Sequence, residues 1–227
     1  MRLKNSVALV TGANRGLGRH FAAQLVQRGA KVYAAARRPE TVDLPGVIAV
    51  RLDITDPESV AHAAKLADDV TVLVNNAGTS LGAHLLDGDL DEIRREMETH
   101  YFGTLAVTRA FAPVLERNGG GAVLNVLSVL SWVHPGPFGA YSAAKAAEWA
   151  QSNALRDLLA PKGITVSALH VGFMDTDMAA SVPADQKSDP AVVARLALDG
   201  VEACRPEIVA DEFSRTVKAG LATALQG

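Results

Sequence analysis

The sequence predicts an α/β fold in which a single domain, residues 1–227, forms a doubly wound parallel sheet of about seven strands flanked by helices. Three observations lead to this expectation. Short apolar runs of strand length recur along the chain, and longer stretches compatible with helices separate most of them. The runs are continuously apolar rather than alternating, which is typical of strands covered by helices on both faces. A chain of 227 residues also has a length at which such folds commonly form one domain.

The boundaries of the predicted elements can be identified from single residues. Asp56 and Asp189 each stand directly before a proline, a pattern that favours a helix start with an N-cap and proline at the first helical position. Gly29 and Gly163 follow helical runs and indicate where they stop. The stretch 38–46 contains two prolines and is too short for a full helix, so we expect a reduced crossover there. The six predicted strands are Val7–Val10, Lys31–Ala35, Val47–Leu52, Thr71–Val74, Ala122–Leu127 and Ile164–Leu169.

Composition narrows the classes of function. The formal net charge is −3, and acids and bases are interspersed without a block of one sign, so no nucleic-acid or membrane partner is expected. Cys204 is the only cysteine, which excludes an internal disulfide, and no spacing typical of metal ligands occurs. Residues 1–10 lack the pattern of a signal peptide, and no apolar stretch reaches the roughly 20 residues that span a bilayer. We therefore expect a cytoplasmic protein that acts on a small molecule.

A glycine-rich turn lies between the first predicted strand and a helix. Glycine lets the backbone turn tightly and approach a pyrophosphate, while the free N–H groups and the positive dipole end of the helix attract the anion. Glycines at such turns can also serve packing alone, but here the strand and helix that the motif requires are both predicted. The turn therefore predicts a Rossmann-type dinucleotide site. Its candidate binding residues are Gly12, Asn14, Arg15, Gly16, Leu17 and Gly18.

Two arginines indicate which dinucleotide is bound. Sites specific for NAD usually carry an acid after the second strand to hold the ribose 2′-hydroxyl, and this chain has Arg37 and Arg38 there. Guanidinium groups match a 2′-phosphate in geometry and charge. Arg15 could add a cation on the same side. Taken singly, each arginine is better explained as a solvated surface charge, but their joint placement favours NADPH or NADP⁺ over NADH.

Tyr141, Lys145 and Ser128 are the candidate catalytic residues. Tyr141 and Lys145 stand four residues apart in a helical stretch, so they share one face. An ammonium group next to a phenol is expected to lower its pKa toward the working range of an acid or base. Ser128 follows the strand Ala122–Leu127, at the sheet edge where ligands bind in open α/β sheets. Each residue alone is compatible with an ordinary surface or turn position, whereas the three together predict hydride-transfer chemistry.

These residues together resemble the short-chain dehydrogenase/reductase family. Four motifs carry the resemblance over nearly the whole chain: the glycine-rich turn, the segment Asn75-Asn76-Ala77-Gly78, Ser128, and the pair Tyr141 and Lys145. The family fold implies a seven-stranded parallel sheet, for which the stretch Glu207–Ala210 would supply the last strand. The resemblance also implies cofactor contacts at Asp53, Ile54, Asn76, Ala77, Gly78, Tyr141, Lys145, Met174 and Thr176.

Two positions depart from the family pattern. His100 stands where the family usually has an asparagine that helps to hold a water in a proton relay, so either imidazole takes over that role or it simply fills the space. Val171 stands where Pro-Gly usually begins after the sixth strand, and loss of that proline is expected to free the turn.

The resemblance implies an NADPH-dependent oxidoreductase that transfers a hydride between the nicotinamide and a ketone, an aldehyde or a secondary alcohol. Tyr141 would be the general acid/base, and residues 132–138 would form one wall of an apolar pocket below a lid at Met178–Lys187. The alternative is a catalytically weak or inactive regulatory protein that binds NADP(H), for which His100 is the only argument. Dehydration or epimerisation on the same scaffold is a less economical alternative. Assembly as a homodimer or homotetramer is expected, through a helix face such as 146–159.

Overall fold

A parallel sheet runs through the whole protein. The computed structural model describes residues 2–224 and their side chains as far as residue 221; positions 1 and 225–227 of the predicted domain lie outside the described residues. Within residues 2–224, seven strands pair in parallel in the order β3-β2-β1-β4-β5-β6-β7. The strands are β1 (Val7–Thr11), β2 (Lys31–Ala36), β3 (Ile48–Arg51), β4 (Val72–Asn75), β5 (Gly121–Val126), β6 (Ile164–His170) and β7 (Glu207–Val209).

Helices cover both faces of the sheet, as the apolar strands predict. On one face α1 packs against α6, and Phe21 and Leu198 are fully buried there. On the other face lie α2, α4 and α5, with Phe111 fully buried. Full burial of one such side chain contributes about 1.5–3 kcal/mol. The helices are α1 (Gly16–Gln27), α2 (Pro57–Leu66), α3 (Leu90–Met97), α4 (Thr104–Arg117), α5 (Gly139–Leu159), α6 (Pro190–Glu202) and α7 (Glu212–Ala224).

The predicted α/β fold with a doubly wound parallel sheet is confirmed, and each observed strand end lies within one residue of the predicted one. The sheet order reverses between β1 and β4, so their carboxyl ends open a crevice of the kind that binds ligands. The glycine-rich turn follows β1, and the segment that begins with Asn76 follows β4. The two motifs that resemble a cofactor site therefore meet at this crevice.

Local signals also match the structure. Asp56 accepts a hydrogen bond from the Glu58 N–H at 3.0 Å, and Asp189 accepts one from the Ala191 N–H at 2.8 Å, so both cap the helices they were predicted to start. The stretch 38–46 contains one short 3₁₀ turn, Pro39–Thr41, which agrees with the reduced crossover that was predicted there.

Among the described residues, no helix is long and apolar enough to cross a membrane, and no cluster of His, Cys, Asp or Glu side chains could hold a metal ion.

The helical stretch that follows Asp89 is interrupted. A π-helical segment, Glu98–Gly103, separates α3 from α4 and carries His100. Gly103 faces Ile54 so closely that a Cβ atom there would lie 2.9 Å from the Ile54 Cδ1 atom. π-Helical turns occur frequently at functional sites. This one places His100 inside the protein with 1% of its surface exposed.

Candidate active site

The glycine-rich turn forms a cradle at the start of α1. Gly12 has a φ of +65° and Gly16 a φ of +53°, in the left-handed region that favours glycine. A Cβ atom on Gly18 would overlap the carbonyl oxygen of Gly12, and one on Gly16 would lie 3.5 Å from the Thr176 Cγ2 atom. Because side chains are absent at these positions and the first N–H groups of α1 lack helical partners, the turn fits a pyrophosphate.

The other residues of the turn have distinct positions. Asn14 donates a hydrogen bond to the Thr41 hydroxyl at 3.1 Å, and Thr41 donates to the Arg38 carbonyl at 2.7 Å, so the turn is tied to the segment after β2. Leu17 is buried in the core. Arg15 forms an ion pair with Asp177 at 3.0 Å in which both side chains are exposed. Such exposed pairs contribute little stability, so Arg15 can exchange Asp177 for an anionic ligand.

Arg37 and Arg38 follow β2 at the crevice edge and are exposed. Within residues 2–221, neither guanidinium group forms a salt bridge or a side-chain hydrogen bond with the protein, so both can accept a phosphate. After β3, the Asp53 carboxylate accepts hydrogen bonds from the N–H and hydroxyl of Thr55 at 3.1 and 2.8 Å. Ile54 is buried beside the π-helical segment.

The segment after β4 is fastened to the glycine-rich turn. The Asn76 amide donates to the Thr11 carbonyl at 2.9 Å, and the Ala77 N–H donates to the Thr11 hydroxyl at 2.9 Å. A Cβ atom on Gly78 would lie only 2.7 Å from the His100 Cε1 atom, so a glycine is needed where the backbone passes the imidazole. The structure thereby brings both cofactor motifs and His100 together.

Met174 and Thr176 lie across the crevice from the glycine-rich turn. Met174 is half-buried, packs against the core and forms a parallel bridge with Ser188. Thr176 reaches Gly16, as described above. The two residues are therefore placed where a ligand held by the turn would pass, although the ligand contacts predicted for them remain predictions.

Ser128, Tyr141 and Lys145 meet at the carboxyl end of β5. Ser128 is buried after the strand, and its hydroxyl accepts a hydrogen bond from the Leu130 N–H at 3.1 Å. The same hydroxyl is close enough to the Tyr141 phenol to lower its pKa. The Lys145 ammonium donates to the Val126 carbonyl at 2.8 Å and lies 5.9 Å from the centre of the Tyr141 ring. The helix α5 thus places the phenol and the ammonium side by side.

The Lys145 ammonium lowers the pKa of Tyr141 as predicted, but it does not bring that pKa toward the neutral range. Burial raises the pKa of the Tyr141 phenol above 10.0, and the negative charges of Glu148 and Glu96 add to the rise. The positive charge of Lys145 and the hydrogen bond with Ser128 act in the opposite direction but do not outweigh burial. Although burial lowers it, the pKa of Lys145 is raised because the Glu148 carboxylate stabilises the ammonium.

Sequence reasoning missed two acidic residues at this site. The Glu148 carboxylate accepts a hydrogen bond from Lys145 at 2.7 Å, and the Glu96 carboxylate lies 3.3 Å from the Nε2 atom of His100. Both residues are at most 2% exposed. Their spacing was the available signal, since Glu148 stands three positions after Lys145 and Glu96 four before His100 on helices, where such pairs share one face.

Comparison with known proteins decides the family. The family described as short chain dehydrogenase matches residues 6–187 of this chain, which include the glycine-rich turn, Ser128, Tyr141 and Lys145. The chain belongs to the short-chain dehydrogenase family. The family resemblance expected from the sequence is thereby confirmed.

Similar proteins include enzymes that act on different substrates. An NADPH-dependent 1-acyldihydroxyacetone phosphate reductase of Schizosaccharomyces pombe is 34% identical over 74% of this chain, which spans 60% of the length of that relative. A 3-oxoacyl-[acyl-carrier-protein] reductase of Vibrio cholerae is 31% identical over 86% of this chain and 88% of its own. A short chain dehydrogenase from Burkholderia cenocepacia, solved in complex with NADP, is 39% identical, covers 100% of this chain and 96% of its own, and superimposes with a TM-score of 0.95.

In this short-chain dehydrogenase, the turn that lacks the usual proline is tied to its neighbours. Val171 is buried and its carbonyl accepts a hydrogen bond from the Val129 N–H at 3.0 Å, while the Gly172 N–H donates to Asp211 at 2.8 Å. These contacts restrain the turn that was expected to be loosened by the absence of proline, so that loosening stays a prediction.

Trp132 does not line a pocket, because it is buried and its ring stacks on His170 at 3.8 Å between centroids. Phe138, at the other end of the predicted pocket wall 132–138, is exposed and so can contact a ligand.

His170 is expected to make this short-chain dehydrogenase sensitive to acid. Burial lowers the pKa of His170 from 6.5 to about 4, so the folded protein takes up this proton less readily than the unfolded chain. The neutral His170 side chain therefore contributes its full share to the free energy of unfolding above pH 6.5. This contribution, at most about 3 kcal/mol, is lost as the pH falls toward 4. Urea denaturation at several pH values measures the loss, which His170→Asn should reduce and exposed His134→Asn should leave intact. An equal pH dependence in all three proteins would contradict the assignment.

Proposed function

We propose that this protein is an NADP(H)-dependent oxidoreductase that interconverts a ketone or aldehyde and the corresponding alcohol. The observation that carries the proposal is the convergence of Ser128, Tyr141 and Lys145 at the carboxyl end of β5, beside the glycine-rich turn. A protein that only bound a dinucleotide would have no need of a half-buried phenol, a hydroxyl and an ammonium at this place. Membership of the short-chain dehydrogenase family supports the same class of chemistry.

The cofactor we propose is NADPH or NADP⁺ rather than NADH. The glycine-rich turn would hold the pyrophosphate, and Arg37 and Arg38 would bind the 2′-phosphate, since both guanidinium groups are exposed. The Schizosaccharomyces pombe relative is described as NADPH-dependent, and the Burkholderia cenocepacia protein was solved with NADP. Bound NADPH supplies the hydride for reduction of the carbonyl carbon.

The chain's own residues supply the proton and hold the reacting oxygen. In reduction, the Tyr141 phenol gives its proton to the substrate oxygen, and its raised pKa keeps that proton in place at neutral pH. The Ser128 hydroxyl accepts from the Leu130 N–H and so can point its hydrogen at the same oxygen. The positive charge of the Lys145 ammonium stabilises the phenolate that Tyr141 becomes when it has lost its proton. For oxidation of an alcohol, Tyr141 would have to lose its proton first, which the same raised pKa disfavours.

An apolar substrate fits the mouth of the site best. Phe138 and Phe173 lie 6.1 Å apart between ring centres, and each exposes more than a third of its surface. Leu85 packs against Gly139, where a Cβ atom would lie 2.6 Å from the Leu85 Cδ1 atom, and Leu85 is itself 56% exposed. Met178 begins the predicted lid and is also exposed. Exposed apolar groups in such a cluster favour binding of an apolar ligand over a charged one.

The second candidate is a regulatory protein that binds NADP(H) without turnover. His100 favours it, because the imidazole replaces the asparagine of the family pattern.

The predicted homodimer or homotetramer and the predicted cytoplasmic location also stay proposals. The Trp149 indole donates to Glu207 at 3.2 Å, so part of the helix face predicted for assembly is used within the chain.

Oxidation of NADPH in the presence of a panel of aryl, aliphatic and cyclic ketones and aldehydes tests the proposal, with NADH in parallel. We expect turnover with NADPH, fastest for apolar ketones, and slower turnover with NADH. Binding of NADPH without turnover of any carbonyl compound would favour the regulatory protein. Absence of NADPH binding by folded protein would contradict both.

A further inference from the structure

Two buried carboxylates stand behind Tyr141 and Lys145, and the mechanism proposed above does not use them. Glu96 on α3 has no exposed surface, and Glu148 on α5 is 2% exposed. A buried carboxylate is strongly destabilising unless partners compensate its charge. Their partners therefore indicate what these carboxylates do.

Glu148 holds the Lys145 ammonium in place. One carboxylate oxygen, Oε2, accepts from Lys145 at 2.7 Å, and the other, Oε1, accepts from the Thr104 hydroxyl at 3.1 Å. With the Val126 carbonyl at 2.8 Å, two of the three ammonium hydrogens are bound on fixed elements. The third is left for the side where Tyr141 lies. Loss of the Glu148 carboxylate would free the lysine to adopt other rotamers.

His100 lies between the two carboxylates. Its Nε2 atom is 2.8 Å from the Thr79 carbonyl, 3.3 Å from a Glu96 oxygen and 3.4 Å from the Thr79 N–H. We assign a hydrogen to Nε2 because the two acceptors are closer than the one donor. Its Nδ1 atom faces the Glu148 Oε2 atom at 3.9 Å and has no hydrogen-bond partner among the described residues. The imidazole stands edge-on to the Tyr141 ring at 5.2 Å between centroids.

His100 is surrounded by charged side chains. The ionisable groups that face it are Glu96 from α3 and Tyr141, Lys145 and Glu148 from α5; the segment after β4 contributes only backbone groups of Gly78 and Thr79. Two carboxylates and one ammonium, all buried, leave a net charge of −1 around the imidazole when the carboxylates are ionised. One proton shared by this pair, carried on either His100 Nδ1 or Glu148 Oε2 because 3.9 Å is too long for a hydrogen bond, would bring the net charge to zero.

We propose that Glu148 is the positioning residue of Lys145, and that Glu96, His100 and Glu148 hold one exchangeable proton behind Tyr141. The effect on turnover rests on the proposed function. When Tyr141 gives its proton to substrate, Lys145 replaces it, and the proton held by His100 and Glu148 returns to Lys145. Only O–H and N–H bonds form and break, and solvent refills the cluster at the segment 79–81, where Ser80 is exposed. Side chains thereby perform the proton transfer.

Titration of Tyr141 in the protein without cofactor or substrate tests the cluster independently of turnover. Phenolate absorbance is followed with pH, and the Tyr141→Phe protein is subtracted to isolate this residue. In Glu148→Gln we expect Tyr141 to ionise at lower pH, because a carboxylate that opposes ionisation is gone. In His100→Asn we expect ionisation at higher pH, because the shared proton is lost. Asp157→Asn, an exposed acid on the same helix, is the matched control.

Steady-state turnover completes the test. We expect Glu148→Gln to lower kcat by about tenfold and to change its pH profile, with the Asp157→Asn protein unchanged. Titration curves of Tyr141 that coincide in wild type, Glu148→Gln and His100→Asn would overturn the proposal. If Glu148→Gln fails to fold, His100→Asn decides alone, because the family carries asparagine at this position. If no carbonyl compound is turned over, the proposed function fails while the titration still decides the cluster.

Discussion

Replacement of Tyr141 by phenylalanine is expected to lower kcat/KM for carbonyl reduction by about 10²- to 10⁴-fold, the range for loss of a positioned general acid. Only the phenolic oxygen is removed, and the ring keeps its edge-on contact with His100. The affinity for NADPH should change little, because the glycine-rich turn and the arginines are untouched. A small change in KM with a large fall in kcat would place the lost interaction in the transition state.

Tyr101→Phe is the matched control. Tyr101 lies in the π-helical segment one residue from His100, and its ring contacts Phe102 rather than the candidate catalytic residues. We expect nearly unchanged turnover in this variant. If the Tyr141→Phe protein still reduced the carbonyl substrate at a rate close to that of the wild type, the phenol would be excluded as the proton donor.

The pH dependence of the wild-type protein follows from the same phenol. Because the pKa of Tyr141 is raised above 10.0, the donor stays protonated through the neutral range, and reduction is expected to slow only in strong alkali. Oxidation of the alcohol requires the phenolate and should speed up as the pH rises. A rate of reduction that fell already near neutral pH would identify another group as the proton donor.

Much of the fold could be predicted because the signals are local. Strands buried on both faces need continuous apolar runs, and capping residues such as Asp56 and Asp189 act on N–H groups two residues away. The joint placement of the cofactor motifs followed from the parallel sheet, since carboxyl ends of parallel strands meet at one edge. These inferences need no knowledge of how distant side chains pack.

The parts that sequence reasoning missed depend on tertiary packing. Glu96 and Glu148 are more than fifty positions apart, and their shared contact with His100 arises only once α3 and α5 are packed together. The raised pKa of Tyr141 has the same origin, because the degree of burial and the two carboxylates are properties of the folded site. Trp132 was assigned to the pocket wall for a related reason, since nothing in the sequence indicated that His170 would stack on it.

The cofactor preference should reside in Arg37 and Arg38. Replacement of both by serine is expected to weaken NADPH binding by about 100-fold, or about 2.7 kcal/mol, because two charge-assisted interactions with the 2′-phosphate are lost. NADH has no such phosphate, so its dissociation constant should stay within about twofold of the wild-type value. Calorimetric titration of each protein with NADPH and NADH measures both effects.

Arg117→Ser is the control for general charge, because Arg117 is exposed at the end of α4 and far along the chain from the crevice. It should leave both affinities unchanged. Equal weakening of NADPH and NADH in the double variant would mean that the arginines support the shape of the site rather than the phosphate. Unchanged NADPH affinity would make them solvated surface charges, the alternative that each arginine alone allows. A selective loss that also shrinks as salt is added would assign the 2′-phosphate to this pair, since screening weakens exposed charge interactions.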